Sequence, residues 1–218
     1  MKKISISGRT FILFLLLVLA SIFFFFWPIT PASLFLEDDE IRICNASPEH
    51  YEKIHRYLAF LTPEVRFSIR GITIEETDSE DYWGKCNRLR KIRIKSSALL
   101  YKPSNIWHEG AHAHHYYLDA IWSGFSSEWK SINGAKIFPN DAEEEYEEDI
   151  AYWVQHCYLA STGLYGFWDL NIFLLIFKNA SYLDKEGCKQ KLNLLLKYKF
   201  IDSAVYEKIR NAYPVIFK

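Results

Sequence analysis

The sequence predicts an α+β domain that follows an N-terminal apolar segment. Three observations predict it: an apolar run within the first thirty residues, alternation of apolar and polar residues between positions 65 and 101, and helical spacing on both sides of that stretch. Half of the 218 residues are hydrophobic and 17% are aromatic, so an intrinsically disordered chain is excluded. The formal net charge is -1. We expect no nucleic-acid partner, because the chain lacks an excess of Lys and Arg.

The N-terminal segment predicts a membrane span. Phe11–Trp27 is an apolar run broken only by Ser21, and as a helix it would measure roughly 26 Å, close to the ~30 Å hydrocarbon core of a bilayer. Basic residues precede it and acidic residues follow it, which predicts a cytoplasmic N-terminus. We therefore expect residues 1–32 to be a retained signal anchor of a single-pass membrane protein. Residues 33–46 would be a linker and residues 47–218 an extracytoplasmic domain, secreted if the segment were a cleaved signal peptide.

The four cysteines allow two disulfides in an oxidising compartment. None of them has the CxxC spacing that many zinc and redox sites use. We expect the pairs Cys44–Cys86 and Cys157–Cys188, because each bridge would then lie within one half of the domain. Four buried thiols are the alternative.

The first predicted helix covers residues 47–61. Ser47 is a typical N-cap residue and Pro48 suits the first helical position. Apolar residues then recur at helical spacing until Pro63, which is predicted to end the helix.

The sheet is predicted from the stretch that follows. Val65–Ile69 and Ile72–Ile74 alternate apolar and polar residues, which indicates strands. Lys91–Lys95 predicts a strand with one basic, solvated face, and Ala98–Tyr101 predicts a further strand. Helices are predicted over about 104–121, 141–160, 168–178, 186–198 and 202–212.

A five-residue motif in the helix predicted over residues 104–121 carries the chemistry. His108, Glu109 and His112 form HExxH. Residues i and i+4 lie on one face of a helix, so both imidazoles reach one point and can share a zinc ion. The glutamate can take a proton from a zinc-activated water, whose pKa zinc lowers towards about 7. The alternative is a histidine-rich, solvated helix, because two further histidines follow the motif directly.

The segment His108–Ala113, which follows a predicted strand, resembles the zincin metallopeptidases. It lacks the metzincin continuation, which requires Gly and His where this chain has His115 and Leu118. Glu148–Ala151 is similar to the Glu-x-x-Ala signature of the anthrax-lethal-factor-type catalytic domains, which are gluzincin-like. The resemblance covers residues 63–160. It implies a zincin-like fold, with a small mixed sheet followed by the active-site helix and several further helices.

The resemblance also implies a set of site residues. His108 and His112 would bind Zn2+ together with Glu148 as the third ligand, and Glu109 would be the catalytic general base. Family members also use a Tyr or His to stabilise the oxyanion of the tetrahedral intermediate. The candidates for this role, or for orienting a ligand histidine, are His115, Tyr146, Tyr152 and Asp149.

The third ligand stays open among neighbouring glutamates. Helical periodicity slightly favours Glu147, which lies nearest to the expected core-facing stripe, whereas the resemblance favours Glu148. Glu144 is a further alternative. Glu145 is another, because it forms with Asp149 a pair in which the aspartate would orient a ligand histidine.

These observations predict a membrane-anchored, extracytoplasmic zinc metalloprotease that hydrolyses peptide bonds in a peptide or protein substrate. An extended peptide would add to a sheet edge beside the active-site helix, and Lys91–Tyr101 is the expected edge because it precedes that helix. The alternative function is a membrane-anchored binding or structural module in which HExxH is degenerate. The zinc content of the protein would distinguish the two.

Overall fold

The fold is mixed α+β, as the sequence predicts. In a computed structural model of the chain, residues 41–76, 82–132, 145–164 and 185–217 are described. The strands are β1 (Ile43–Cys44), β2 (Gly71–Glu75), β3 (Gly84–Cys86) and β4 (Lys91–Lys95). They form one sheet in the order β1-β2-β4-β3, in which β1, β2 and β4 are parallel and β3 is antiparallel to β4. The helices are α1 (Pro48–Leu58), α2 (Pro63–Ser68), α3 (Ser96–Tyr101), α4 (Asn105–Ala120), α5 (Phe125–Ser131), α6 (Glu145–Thr162), α7 (Lys185–Lys197), α8 (Ser203–Ala212) and α9 (Pro214–Phe217).

The elements with strong local signals form where the sequence predicts them. Ser47 caps α1, because its side chain accepts a hydrogen bond from the backbone N–H of His50 at 3.2 Å. In β2 and β4 the isoleucines are buried and alternate with more exposed residues. The helices predicted over 104–121, 141–160, 186–198 and 202–212 correspond to α4, α6, α7 and α8, and the helix predicted over 168–178 lies outside the described residues.

Two predicted strands are wrong, because both segments are helical. Val65–Ile69 lies largely in α2, where the side chain of Thr62 accepts a hydrogen bond from the backbone N–H of Val65 at 3.2 Å. Thr62 and Pro63 thus start a helix in the same way as Ser47 and Pro48 do before α1. Ala98–Tyr101 lies in α3. Short apolar runs of this length do not distinguish a strand from a buried helical turn.

The expected sheet edge is also wrong. Within the sheet, β4 lies between β2 and β3 and is paired on both sides, and residues 96–101 form α3 instead of continuing the strand. Among the described residues, β3 pairs with β4 alone, so β3 is the edge strand on this side. On the opposite side the edge strand is β1, which lies within the segment predicted as a linker.

The basic face predicted for β4 is only partly solvated. Lys91 and Arg93 are exposed, but Lys95 is 7% exposed. Its Nζ lies 5.2 Å from the centre of the Tyr82 ring, so an aromatic side chain covers the ammonium group and attracts it. The alternation of charged and apolar residues therefore does not extend to the end of the strand.

Helix α4 occupies the centre of the fold. It packs against α6, α2, α1 and α5 and against β3 and β4, and every residue from Asn105 to His115 is buried. Trp107 is fully buried, and its Nε1 donates a hydrogen bond to the carbonyl oxygen of Tyr57 at 2.8 Å. The HExxH motif is therefore held on a helix that neighbours constrain on several sides.

The expectation of a single-pass membrane protein requires correction. Among residues 41–76, 82–132, 145–164 and 185–217, no helix has the length and apolar character to cross a bilayer. The signal anchor predicted over residues 1–32 lies outside the described residues. No described helix therefore supports the predicted single-pass span or the extracytoplasmic location that depends on it.

The predicted disulfides are wrong as well, because all four cysteines are thiols. Cys44 is on β1 and Cys86 is on β3, at opposite ends of the sheet. At about 4.8 Å between neighbouring strands, three strand spacings separate them by roughly 14 Å, well beyond the ~7 Å over which two Cα atoms can be bridged. Cys157 and Cys188 are buried thiols on α6 and α7.

Candidate metal centre

Two histidines of α4 face each other across one helical turn. The Nε2 atoms of His108 and His112 lie 3.2 Å apart, as the i, i+4 spacing predicts. Both side chains are buried, and neither Nδ1 has a hydrogen-bond partner among the described residues. Each imidazole therefore presents Nε2 to a common point.

The third group of this cluster comes from α6, which packs along α4. One carboxylate oxygen of Glu148 lies 3.2 Å from Nε2 of His108, and the other lies 3.2 Å from Nε2 of His112. The side chain of Glu148 is 49% exposed, so the cluster is accessible to solvent from this side. His108, His112 and Glu148 together form a group that could hold a metal ion.

The donor set fits a zinc ion. Zinc binds histidine nitrogen and carboxylate oxygen at about 2.0–2.2 Å, and in tetrahedral coordination such ligand atoms lie about 3.3–3.5 Å from one another. The two Nε2 atoms lie 3.2 Å apart, and each lies 3.2 Å from a different carboxylate oxygen of Glu148. One donor atom from each of the three residues lies within 4.8 Å of the others. Two nitrogens and a carboxylate also match the ligand type of catalytic zinc sites, which leave one position open.

The charges in the cluster favour the metal-binding forms of His108 and Glu148 but the protonated form of His112. Burial lowers the pKa of His108 to about 4, so this imidazole is neutral near pH 7. Burial raises the pKa of Glu148, but the two imidazoles outweigh that effect and hold it well below its usual value. Burial lowers the pKa of His112, whereas Glu148 and Glu109 raise it above its ordinary value. Metal binding at Nε2 of His112 requires the neutral imidazole, so it would compete with protonation of this residue.

Glu109 lies beside the cluster and against the sheet. It is 3% exposed, its Oε1 accepts a hydrogen bond from Nδ2 of Asn105 at 3.3 Å, and its carboxylate also accepts the backbone N–H of Cys86. Burial raises the pKa of this carboxyl group to about 7, against the opposing effect of His112. Two donors from separate elements, α4 and β3, thus fix the carboxylate in place.

Strand β3 approaches this glutamate closely enough to require a glycine. A methyl group at Gly84 would lie 2.1 Å from Nδ2 of Asn105 and 3.0 Å from Cγ and Oε1 of Glu109. The side chains of Asn105 and Glu109 are both buried. The backbone of β3 at Gly84 therefore packs directly against side chains of the HExxH helix.

Of the remaining predicted residues, Tyr152 lies beside His108, whereas His115 and Tyr146 pack against each other. The ring of Tyr152 lies 4.6 Å from the ring of His108, edge to face, and burial raises the pKa of its hydroxyl to about 12, so the phenol keeps its proton beside the cluster. His115 instead contacts Ser126 at 2.8 Å and Asp119 at 3.2 Å. Tyr146 packs against His115 with ring centres 5.5 Å apart.

The structure distinguishes Glu148 from the other glutamates that were candidates for the third metal ligand. Glu147 accepts hydrogen bonds from the hydroxyl of Tyr116 at 2.9 Å and from Nη2 of Arg88 at 2.8 Å, so its carboxylate is used outside the cluster. Glu144 and the side chain of Glu145 lie outside the described residues.

Asp149 does not orient a ligand histidine in the way expected from a Glu145–Asp149 pair. Its Oδ2 accepts hydrogen bonds from Nζ of Lys191 at 2.6 Å and from Nε1 of Trp129 at 3.1 Å. Neither partner has a signal in the sequence, because both lie on other helices. Asn105 was not predicted as a site residue, although it lies one helical turn before Glu109 and on the same face of the helix.

No family model matches the chain, and no significant similarity to a curated protein or to a solved structure is found.

Proposed function

We propose that the protein is a zinc-dependent peptidase whose ion is held by His108, His112 and Glu148. The observation that carries the proposal is the convergence of these three donors, from two helices, beside a buried glutamate. A structural site closes its fourth position with protein, whereas this cluster reaches solvent beside the half-exposed Glu148. The resemblance of HExxH and Glu-x-x-Ala to gluzincin-like metallopeptidases supports the same proposal, and a small mixed sheet packed beside the HExxH helix is compatible with it.

A zinc ion bound by these three groups would supply a Lewis acid that acidifies water and polarises a carbonyl oxygen. Glu109 then acts as the general base and later returns the proton to the leaving amine. Asn105 and the backbone N–H of Cys86 keep its carboxylate in one orientation. The hydroxyl of Tyr152 keeps its proton beside the cluster and is the candidate donor to the oxyanion.

The substrate class follows from the edge strand. In the part of the chain that the structure describes, β3 is the edge strand of the sheet beside α4. An extended peptide that pairs with such an edge gains main-chain hydrogen bonds without requiring a particular sequence. The peptide's scissile carbonyl would then lie near Glu109, which touches the same strand. We therefore propose a peptide or protein substrate that binds along β3.

The test combines metal analysis with peptide hydrolysis on the purified full-length chain. The unmodified protein is expected to hold one zinc per chain and to cleave a mixed peptide library. His112→Ala is expected to lose stoichiometric zinc, since only two ligands remain. Glu109→Gln is expected to keep the zinc and to lose at least about 100-fold in rate, the contribution typical of a general base.

Two exposed or peripheral positions provide matched controls. His55 lies on α1, and Glu207 on α8 is paired with Arg210 at the surface. His55→Ala and Glu207→Gln are expected to keep both zinc and activity. Zinc binding without any hydrolysis by the unmodified protein would favour the binding-module alternative, and a protein without zinc would refute the proposed centre.

A further inference from the structure

Three consecutive acidic residues of α6 each contact a different part of the fold. Glu147 is bonded to Tyr116 and Arg88, Glu148 contacts the two imidazoles, and Asp149 is bonded to Lys191 and Trp129. Successive residues of a helix point about 100° apart around its axis. The two neighbours of Glu148 therefore attach α6 to other parts of the fold on either side of it.

The contact made by Asp149 is the buried one. The side chains of Lys191 and Asp149 are 2% and 8% exposed and their charged atoms lie 2.6 Å apart. Nζ of Lys191 also lies 5.0 Å from the ring centre of Trp129 and 5.8 Å from that of Trp153. An ion pair held this tightly and shielded from water has a fixed geometry, unlike a pair at the surface.

Glu148 itself has little packing to hold it. Its side chain is 49% exposed, and its polar contacts among the described residues are the two imidazoles. Its position must therefore come from the backbone of α6. Lys191 on α7 and Trp129 on α5 fix that backbone at the next residue.

We propose that the buried Lys191–Asp149 pair is a positioning device that sets metal affinity by holding Glu148 against His108 and His112. Lys191 is a positioning residue, because its ammonium group contacts Asp149, Trp129 and Trp153 and acts on Glu148 through α6. The inference rests on the proposed function only in requiring that the cluster binds zinc. It predicts that a side chain on α7 controls the affinity for an ion bound between α4 and α6.

The experiment is a double-mutant cycle read by zinc affinity, measured on the full chain by competition with a chelating dye. Lys191→Met is introduced into the unmodified protein and into Glu148→Gln. We expect about 10- to 100-fold weaker zinc binding in the first background, the range for partners that orient a ligand. In the second background we expect less than about 2-fold change, because the ligand that Lys191 positions is already altered.

Two further variants distinguish a loss of zinc affinity from a loss of folding. Lys191→Met leaves Asp149 buried without its cation, so Lys191→Met with Asp149→Asn removes both charges and is expected to fold while still binding zinc weakly. Lys197→Met breaks the exposed pair with Glu128, whose atoms lie 2.7 Å apart, and is expected to leave zinc affinity unchanged. Far-UV circular dichroism and Tm of the metal-free proteins report folding separately.

The outcomes separate this inference from the function on which it rests. Zinc binding by the unmodified protein that Lys191→Met and the double variant leave unchanged would overturn the inference alone. Equal weakening in both backgrounds would also overturn it, because Lys191 would then act on the whole site and not through Glu148. A full-length protein without zinc would overturn the proposed centre and this inference together.

Discussion

At the scale of single residues, neighbouring glutamates on one helix have different roles. Glu147 and Glu148 are adjacent in sequence and chemically identical, so composition and periodicity rank them almost equally. In the structure the carboxylate of Glu148 lies 3.2 Å from both Nε2 atoms of the motif. That of Glu147 is bonded to Arg88 and Tyr116. A rotation of about 100° around the helix axis therefore places one carboxylate at the two imidazoles and the other at Arg88 and Tyr116.

This difference gives a prediction for paired substitutions. Glu148→Gln is expected to weaken zinc binding at least about 10-fold, because the metal loses a charged ligand. Glu147→Gln alters contacts with Arg88 and Tyr116, neither of which belongs to the cluster, and is expected to change zinc affinity less than about 3-fold. Competition titration with a zinc-binding dye measures both. A larger loss in Glu147→Gln than in Glu148→Gln would reverse the assignment.

At the scale of elements, the site depends on how closely β3 approaches α4. The two elements pack directly, and the contact leaves no room for a side chain at Gly84 on the side of Asn105 and Glu109. The same approach allows the backbone N–H of Cys86 to bond the carboxylate of Glu109. The edge strand is therefore part of the site and not only a boundary of the sheet.

Gly84→Ala tests this close approach. The added methyl group would push Asn105 away from Glu109, so we expect a loss of about 1–3 kcal/mol in the free energy of unfolding, as for overpacked cores. We also expect a fall of at least about 10-fold in peptide hydrolysis, because the general base loses its fixed orientation. Chemical denaturation and a peptide assay measure the two effects.

Gly163 offers the matched control. It has a positive φ of 68° with nothing within 4 Å of an added methyl group. Gly163→Ala is therefore expected to cost about 1 kcal/mol through backbone strain and to leave hydrolysis unchanged. If Gly163→Ala impaired hydrolysis as much as Gly84→Ala, the loss would reflect general destabilisation.

At the scale of the whole molecule, the core is built without covalent links. Cys86, Cys157 and Cys188 are buried and Cys44 is half-buried. Burial raises the pKa of the Cys86 and Cys157 thiols far above the ordinary value, so neither forms the reactive thiolate near neutral pH. The packing of helices around α4, rather than cross-linking, holds the site together.

Thiol titration checks this arrangement. In the native protein, a thiol reagent at pH 8 is expected to label Cys44 readily and the three buried cysteines at least about 100-fold more slowly, because thiolate and access are both needed. In denaturant without a reducing agent, all four are expected to react. A count of two or none under denaturing conditions would show that disulfides form.

How much of the structure the sequence predicts depends on how far apart in the chain the interacting residues lie. HExxH, the caps of α1 and the alternation in β2 and β4 lie within a few residues, so local geometry alone predicts them. Val65–Ile69 and Ala98–Tyr101 were predicted as strands because short apolar runs carry no decisive period. Their helical form depends on caps and packing that a pattern of apolar residues does not show.

The sequence by itself determined the α+β class, the central helix and the pair of imidazoles with a glutamate between them. Only the tertiary structure decided which glutamate joins His108 and His112, which strand ends the sheet, and that Lys191 pairs with Asp149. The reason is physical: helical spacing fixes neighbours along one element. Contacts between α4, α6, α7 and β3 instead depend on how separate apolar faces pack, and that packing is a property of the whole chain.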